Sequence, residues 1–141
     1  MRFLILRNHM RKVLILCTGN SCRSIIAEAL INKHLNNVVA YSAGVKATGK
    51  VNSNAIKVLK QEDIWKEEYS SKTLDKIMDI NFDLVVTVCS NAEENCPTFP
   101  KKVEVIHVGF DDPDGKGFQA FEETLYNIKK KLLPIVRKKT S

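Results

Sequence analysis

One stretch of sequence decides the fold: residues 13–24, VLILCTGNSCRS. It opens with a continuous apolar run, which is typical of a strand buried on both faces of a parallel sheet. Helix-forming residues follow, with apolar side chains at positions 26, 27, 30 and 31, as expected for the buried side of a helix. Ser24 is a suitable residue to start that helix. The stretch therefore predicts a strand, a tight loop and a helix.

The loop between this strand and helix, residues 17–23, has the composition of an anion-binding nest, and we call it the oxyanion loop. Backbone N–H groups at a helix N-terminus attract an anion, and curling these residues would point successive N–H groups inward. Gly19 can adopt conformations closed to residues with a Cβ atom, and Asn20 tolerates the left-handed region. We expect a consecutive set to bind the oxyanion: Thr18, Gly19, Asn20, Ser21, Cys22, Arg23 and Ser24.

The two ends of the oxyanion loop carry its chemistry. Arg23 supplies a planar guanidinium that can grip two oxygens of a tetrahedral oxyanion. The same positive field favours a thiolate at Cys17, which would make it a nucleophile against the bound oxyanion. The alternative is a buried cysteine at a strand end with a surface arginine nearby, since this spacing also occurs by chance. The flanking strand and helix favour the catalytic interpretation.

The sequence CTGNSCRS at 17–24 resembles the phosphate-binding loop shared by low-molecular-weight protein tyrosine phosphatases and thioredoxin-coupled arsenate reductases. The similarity extends from Lys12 to the C-terminal helix. It implies an α/β fold, a three-layer sandwich around a central four-stranded parallel sheet, in a single domain over residues 12–138. Residues 1–11 would be an N-terminal extension, for which we predict no catalytic role.

Composition narrows the class of protein. A chain of 141 residues with 44% hydrophobic and 27% charged side chains fits one soluble globular domain. The net charge of +6 suits an anionic substrate or an acidic partner, but no basic stripe interleaved with aromatic residues predicts nucleic-acid binding. Four cysteines are too few for a secreted disulfide scaffold. We find no signal peptide and no membrane-spanning stretch, so we expect a cytoplasmic protein without a membrane partner.

Strand and helix patterns alternate along the rest of the chain, which predicts a parallel sheet with right-handed crossovers. Strands are predicted at 38–42, 82–88 and 103–108, and helices after Asn52, over 73–78 and over 119–137. Pro134 is expected to kink the last helix or to end it early. Residues 44–51, GVKATGKV, nearly match a nucleotide-binding loop, but Val51 stands where that loop needs a hydroxyl for magnesium.

Reactive side chains follow three of the predicted strands. Cys17, Cys89 and Asp112 would meet at the carboxyl edge of the sheet, where open α/β sheets carry their sites. A thiolate that displaces an oxygen needs a proton donor for the leaving group. Asp112, directly before Pro113, matches the general acid of the family, and the proline restricts its conformation. By spacing alone Asp112 would be a turn residue.

Cys89 and Cys96 distinguish the two activities. Phosphatase chemistry needs only Cys17, Arg23 and Asp112, whereas a reductase must deliver two electrons and renew its oxidised sulfurs by thiol exchange. The spacing of Cys89 and Cys96 before a proline is similar to the redox segment of arsenate reductases. Helical residues seven apart are too distant for a disulfide, whose Cα atoms lie within about 7 Å, so this segment would have to loop out. Inert thiols or a zinc pair are the alternatives, and the spacing disfavours zinc.

The residues after Pro113 agree with the reductase. Small tyrosine phosphatases usually carry aromatic residues there, to flank the substrate ring. Here residues 114–116 are Asp-Gly-Lys, and none of them can stack on a phosphotyrosine.

The resemblance therefore implies an arsenate reductase with a role in arsenical resistance, no tightly bound cofactor and thioredoxin as its reductant. Arsenate would bind in the oxyanion loop and be reduced by a relay of Cys17, Cys89 and Cys96, with Asp112 as the acid. Cys22 has no step in this relay and is either a structural thiol or a guard that forms a disulfide with Cys17. The alternatives are a low-molecular-weight phosphatase with a Cys17 phosphocysteine intermediate, and an oxyanion-binding or redox-sensing module without turnover.

Some members of the reductase group hold a potassium ion near this loop. Asn20, Glu28, Ser42 and Ser70 match its ligand positions, while Lys72 stands where the family has an aspartate. A lysine cannot ligate a cation, although its ammonium could replace one. Asn20 and Glu28 can equally be structural, holding the loop and pairing buried polar groups.

Overall fold

A computed structural model describes residues 10–90 and 99–141. Within these ranges four strands form one sheet in the order β2-β1-β3-β4, and every neighbouring pair is parallel. The strands are β1 (Arg11–Cys17), β2 (Val38–Gly44), β3 (Leu84–Thr87) and β4 (Val105–His107). The parallel four-stranded sheet predicted from the sequence is confirmed. Most of the predicted N-terminal extension, and Cys96, lie outside the described residues.

In the described part of the chain, three α-helices pack on one face of the sheet: α1 (Arg23–His34), α2 (Ser53–Gln61) and α3 (Phe118–Lys139). The other face is covered by a short 3₁₀ helix, Leu74–Ile77, and by the segments around Phe82 and Val103. Val13 and Ile15 of β1 face the helices, whereas Leu14 and Leu16 face the opposite side. All four are fully buried, which explains the unbroken apolar run in the sequence.

Some element boundaries differ from the sequence-based expectation. β1 begins at Arg11, which we had counted with the extension, because its N–H donates to the carbonyl of Asn37 at 2.9 Å. The predicted helix over 73–78 is a single 3₁₀ turn. The last helix does not end early at Pro134 but continues to Lys139. Pro134 points to solvent, and burial of apolar neighbours such as Val136 offsets the backbone hydrogen bond that a proline loses.

The α-helices in the described parts of the chain are 9 to 22 residues long. No helix there is both long enough and apolar enough to cross a bilayer.

Gly44 lets β2 approach the oxyanion loop, since it pairs with Cys17 at the end of the strand. A Cβ atom on Gly44 would lie 2.5 Å from the carbonyl oxygen of Thr18 and 3.1 Å from the backbone nitrogen of Asn20. The loop backbone would have to shift. We expect Gly44→Ala to lower the free energy of unfolding by about 1–3 kcal/mol and to weaken the binding of inorganic phosphate. Urea unfolding and phosphate titration measure these effects.

Gly117→Ala is the matched control for Gly44→Ala, because a Cβ atom at Gly117 would meet nothing within 4 Å. It should leave phosphate binding close to the wild-type value and cost at most about 1 kcal/mol of stability, because Gly117 is the N-cap of α3, where alanine is less favourable than glycine. If the two variants lose stability and binding equally, close approach at Gly44 is not what shapes the loop.

Candidate active site

The oxyanion loop joins the end of β1 to the start of α1. Both of its ends are buried, with Cys17 2% and Arg23 3% exposed. The expected start of the helix at Ser24 is wrong: α1 begins at Arg23, and Cys22 occupies the capping position, although its side chain makes no capping hydrogen bond. Ser24 lies in the first turn instead, and its hydroxyl is engaged inside the loop.

A neighbouring segment, residues 46–52, fixes the orientation of the loop backbone. Three carbonyl groups of the loop accept N–H groups from it at 3.0 Å: Thr18 from Lys46, Gly19 from Thr48, and Ser21 from Asn52. A trans peptide holds its C=O and the following N–H on opposite sides. The N–H groups at positions 19, 20 and 22 therefore face the cavity, where an anion would meet them.

Asn20 is the left-handed residue of the loop, with φ +49° and no exposed surface. Its side-chain amide donates to Ser24 Oγ at 2.7 Å, and its Oδ1 accepts the N–H of Lys72 at 2.8 Å. The conformational role expected for Gly19 is wrong, because its φ is not positive and a Cβ atom there would lie 3.5 Å from the Thr48 side chain. The side-chain hydrogen bonds of Asn20 thus stabilise the curved conformation of the loop.

The sulfur of Cys17 lies 3.0 Å from Ser24 Oγ. Because the amide of Asn20 already donates to that oxygen, the hydroxyl proton of Ser24 is left for another acceptor, and Cys17 Sγ is within reach. A hydroxyl that donates in this direction suits a negatively charged sulfur. The buried chain from Asn20 through Ser24 to Cys17 is therefore arranged for a nucleophile.

Arg23 and Asp112 meet at the mouth of the site. Arg23 Nη1 donates to the carbonyl of Phe110 at 3.0 Å, and Nη2 lies 3.6 Å from Asp112 Oδ2. The Asp112 side chain is 50% exposed, and its Oδ1 accepts the N–H of Asp114 at 3.0 Å. A carboxyl group in this position can exchange a proton with a ligand that Arg23 holds.

The cavity bounded by these groups has a volume of about 500 Å³. The oxyanion loop forms its floor, and its mouth is lined by Lys46, Thr48, Asp112 and Asp114. None of the described residues that line it is aromatic. The cavity therefore suits a small charged ligand better than an aryl group.

Cys89 lies next to the oxyanion loop. β3 pairs with β1, with Thr87 opposite Leu16. Cys17 at the end of β1 and Cys89 just after β3 therefore lie on neighbouring strands. Cys89 is fully buried, and its Sγ is 4.0 Å from Thr18 Oγ1. The structure thus brings Cys17, Arg23, Asp112 and Cys89 to one edge of the sheet. The role predicted for Cys96 stays a prediction.

Cys22 has a different environment from Cys17. Burial raises its pKa to about 12; the Ser21 hydroxyl opposes this shift, and the nearby Asp112 and Asp114 carboxylates add to it. The thiol therefore stays neutral at neutral pH. A neutral thiol fits a structural side chain better than a second nucleophile.

The residues matched to a potassium site do lie together behind the loop, but their contacts do not fit the ion. Ser42 donates to Glu28 Oε1 at 2.5 Å, and Lys72 Nζ donates to the carbonyl oxygen of Ser70 at 2.8 Å. The Lys72 ammonium and the Glu28 carboxylate attract each other. The lysine ammonium thus lies where its charge could replace that of a potassium ion, and it binds the carbonyl of Ser70, one of the positions matched to the ion's ligands.

Over residues 10–90 and 99–141, no group of three or more His, Cys, Asp and Glu side chains could hold a metal ion.

Glu28 should make stability depend on pH. Burial raises its pKa from 4.5 to about 7, and the Ser42 hydroxyl and Lys72 only partly oppose this shift. Between these values the unfolded chain loses its proton before the folded protein does, so the contribution of Glu28 to stability falls as pH rises. Relative to wild type, Glu28→Gln should gain on the order of 3 kcal/mol between pH 4.5 and 7.5. Urea unfolding across this range measures the difference.

Glu62→Gln, at an exposed carboxylate, controls for loss of charge. Its stability should follow the wild-type pH dependence. If Glu28→Gln also follows it, the buried carboxyl does not titrate in this window.

The chain is similar to known proteins over most of its length. The family model for low molecular weight phosphotyrosine protein phosphatases matches residues 12–139. The chain is 45% identical over 115 residues to arsenate reductase 1 of Bacillus cereus, covering 79% of this chain and 84% of that protein. It is 40% identical over 126 residues to arsenate reductase 2 of Staphylococcus saprophyticus, covering 86% and 93%.

Solved structures show the same architecture. An arsenate reductase from Archaeoglobus fulgidus superposes with a TM-score of 0.76 at 31% identity, covering 88% of this chain and 98% of that one. A low molecular weight protein tyrosine phosphatase from T. tengcongensis shares the fold, with a TM-score of 0.74 at 24% identity over 91% and 99% of the two chains. With a catalytic-type oxyanion loop on this fold and a family match over nearly its whole length, the chain belongs to the low molecular weight phosphotyrosine protein phosphatase family.

Proposed function

We propose that this protein is an arsenate reductase that converts arsenate to arsenite and takes its electrons from thioredoxin. The observation that carries the proposal is the position of Cys89, buried 4.0 Å from the hydroxyl of Thr18 and one strand away from Cys17. Ester hydrolysis has no use for a second thiol there, whereas reduction needs two sulfurs to give up two electrons. The arsenate reductase names of similar relatives support the same choice.

The first step uses the groups around the cavity. Arsenate binds to the N–H groups of the oxyanion loop and to Arg23, and the sulfur of Cys17 attacks arsenic. Asp112 gives its proton to the departing oxygen, which leaves as water. The 3.6 Å separation of Asp112 Oδ2 from Arg23 Nη2 supports this role, since both groups then face the same oxyanion. The product is arsenic(V) bound covalently to Cys17.

The later steps move two electrons through the cysteines. Cys89 attacks the sulfur of Cys17, a disulfide forms, and the electron pair of the broken sulfur–arsenic bond stays on arsenic, which leaves as arsenite. Cys96 then attacks Cys89, releases Cys17 as a thiolate and leaves a Cys89–Cys96 disulfide. The dithiol of thioredoxin reduces that disulfide. Because Cys89 is fully buried, its side chain must become exposed before another protein's thiol can reach it.

A second candidate is a phosphatase that hydrolyses phosphate monoesters through a phosphocysteine at Cys17. Family membership favours it, because Cys17, Arg23 and Asp112 are sufficient for that chemistry. The described lining of the cavity argues against phosphotyrosine as the substrate, since it offers an aryl ring no stacking partner. A slow hydrolysis of small esters is compatible with the reductase, because both reactions use the same oxyanion loop.

The cysteine relay predicts two different points of arrest. Cys89→Ser should stop after arsenic binds to Cys17, because no thiol remains to attack the adduct. Cys96→Ser should complete one turnover and accumulate a Cys17–Cys89 disulfide. Arsenate-dependent NADPH loss with thioredoxin and thioredoxin reductase measures turnover, and peptide mapping shows which sulfurs are joined.

Hydrolysis of 4-nitrophenyl phosphate is the internal control for these variants. This hydrolysis requires only Cys17, Arg23 and Asp112, so Cys89→Ser and Cys96→Ser should hydrolyse the ester nearly as fast as wild type. Cys17→Ser should lose both reactions. Many turnovers of arsenate reduction by both variants would reject the relay and favour the phosphatase.

The assignment of Asp112 as the general acid can be tested against its neighbour Asp111. Asp112→Asn should slow the first displacement roughly 10²–10⁴-fold, because an amide cannot supply the proton. Asp111→Asn is the matched control, since Asp111 is exposed and does not line the cavity that contains Cys17. Single-turnover arsenate consumption measures both. An inactive Asp111→Asn beside an active Asp112→Asn would mean that the wrong carboxylate has been chosen.

A further inference from the structure

One residue, Asn52, joins the oxyanion loop to the acid loop, which we define as residues 111–115. Asn52 Nδ2 donates to Asp114 Oδ1 at 2.9 Å, and the backbone N–H of Asn52 donates to the carbonyl of Ser21 at 3.0 Å. Asn52 Oδ1 accepts the N–H of Asn54 at 2.8 Å and thereby caps α2. Asn52 therefore contacts the oxyanion loop, the acid loop and a helix end at the same time.

Asp114 extends this connection to Asp112. The N–H of Asp114 donates to Asp112 Oδ1 at 3.0 Å, which holds one carboxyl oxygen. The other oxygen, Oδ2, is left on the side of Arg23, 3.6 Å from Nη2. A proton on Oδ2 is thus directed at the ligand that Arg23 grips. Asp112 is half exposed, so few contacts besides these restrict its side chain.

We propose that Asn52 and Asp114 are positioning residues for the reaction. Their side-chain hydrogen bond fixes the acid loop relative to the oxyanion loop and keeps Asp112 within reach of the leaving oxygen. The inference rests on the role of Asp112 in the proposed function. It also accounts for the carboxylate of Asp114, which lines the mouth of a site for an anion, where its charge alone would weaken binding.

Three variants separate this hydrogen bond from charge and from helix capping. Asp114→Ala removes the acceptor but keeps the backbone N–H that Asp112 accepts. Asp114→Asn removes the charge and keeps an oxygen for Asn52. Asn52→Ser keeps an oxygen that can cap α2 but has no amide N–H to reach Asp114.

The direct measurement is hydrogen exchange at the Asp114 amide, followed by NMR on the reduced protein without a ligand. Asn52→Ser should speed this exchange about three- to tenfold, because the acid loop loses one restraint. Amides in the middle of α3 should keep their protection. Equal exchange at Asp114 in wild type and Asn52→Ser overturns the proposal, and this measurement needs no enzymatic activity.

The kinetic measurement is the dependence of ester hydrolysis on the leaving group. Phenyl phosphate needs a proton donor more than 4-nitrophenyl phosphate does, since its leaving oxygen is more basic. Asn52→Ser and Asp114→Ala should lower kcat/KM, which reports the steps up to departure of the leaving group, about tenfold for phenyl phosphate and less than about threefold for 4-nitrophenyl phosphate. Asp114→Asn should keep the wild-type ratio, and Asp114→Ala should bind inorganic phosphate no more weakly than wild type does.

The double variant Asn52→Ser/Asp114→Ala completes the test. Because the two side chains share one hydrogen bond, its kcat/KM for phenyl phosphate should be no lower than that of the less active single variant. Multiplied losses in the double variant, or equal losses with both esters, overturn the positioning role.

Asp112→Asn, measured beside these variants, separates failure of this inference from failure of the proposed function. If Asp112→Asn is slow with phenyl phosphate while Asn52→Ser and Asp114→Ala keep the wild-type ratio, the positioning role fails and the general acid stands. If Asp112→Asn is unimpaired, the acid assignment fails and the positioning of Asp112 for the reaction fails with it. If wild type hydrolyses neither ester, exchange at the Asp114 amide decides whether the Asn52–Asp114 hydrogen bond fixes the acid loop.

Discussion

The whole site depends on hydrogen bonds to the outer side of the oxyanion loop. Residues 46–52 donate three backbone N–H groups to its carbonyls, and the hydroxyl of Ser71 adds a second donor to the carbonyl of Gly19 at 3.1 Å. A buried carbonyl without a partner costs about 1–3 kcal/mol, so these bonds oppose rotation of the loop peptides. With the carbonyls held outward, the N–H groups converge on the cavity. An anion-binding site is thereby built from backbone N–H groups, and Arg23 adds a full positive charge to it.

The strand order β2-β1-β3-β4 explains why the other parts meet this loop. β1 has a neighbour on each side, so the segment after β2 flanks the loop from one side and Cys89 from the other. The acid loop follows β4 and reaches back to the site through the carbonyl of Phe110, which accepts from Arg23. If β1 were an edge strand, one side of the loop would lack its partners, and either the nest or the second thiol would be lost.

The sequence predicts the sheet and the loop because both are local patterns: an apolar run at 13–16 and a short stretch suited to an anion. It does not reveal the segment 46–52, since that segment acts through backbone N–H groups, which any residue except proline supplies. Ser24 is predicted as a helix start from propensity alone, whereas its contacts with Cys17 and Asn20 depend on how the loop curls. The Asn52–Asp114 hydrogen bond joins residues 62 positions apart, and no local pattern signals it.

The environments of the described cysteines bear on which sulfur acts second. Cys22 is closer in sequence to Cys17 than Cys89 is, but burial, with Asp112 and Asp114 nearby, raises its pKa to about 12 and keeps it a neutral thiol. A neutral thiol attacks far more slowly than a thiolate. In the proposed reaction the acid loop then has two effects: it supplies the proton for the departing oxygen, and its carboxylates oppose ionisation of the competing sulfur. Attack of Cys22 on the arsenic adduct is thereby disfavoured, which suits a proposed relay that leads out of the oxyanion loop rather than ending inside it.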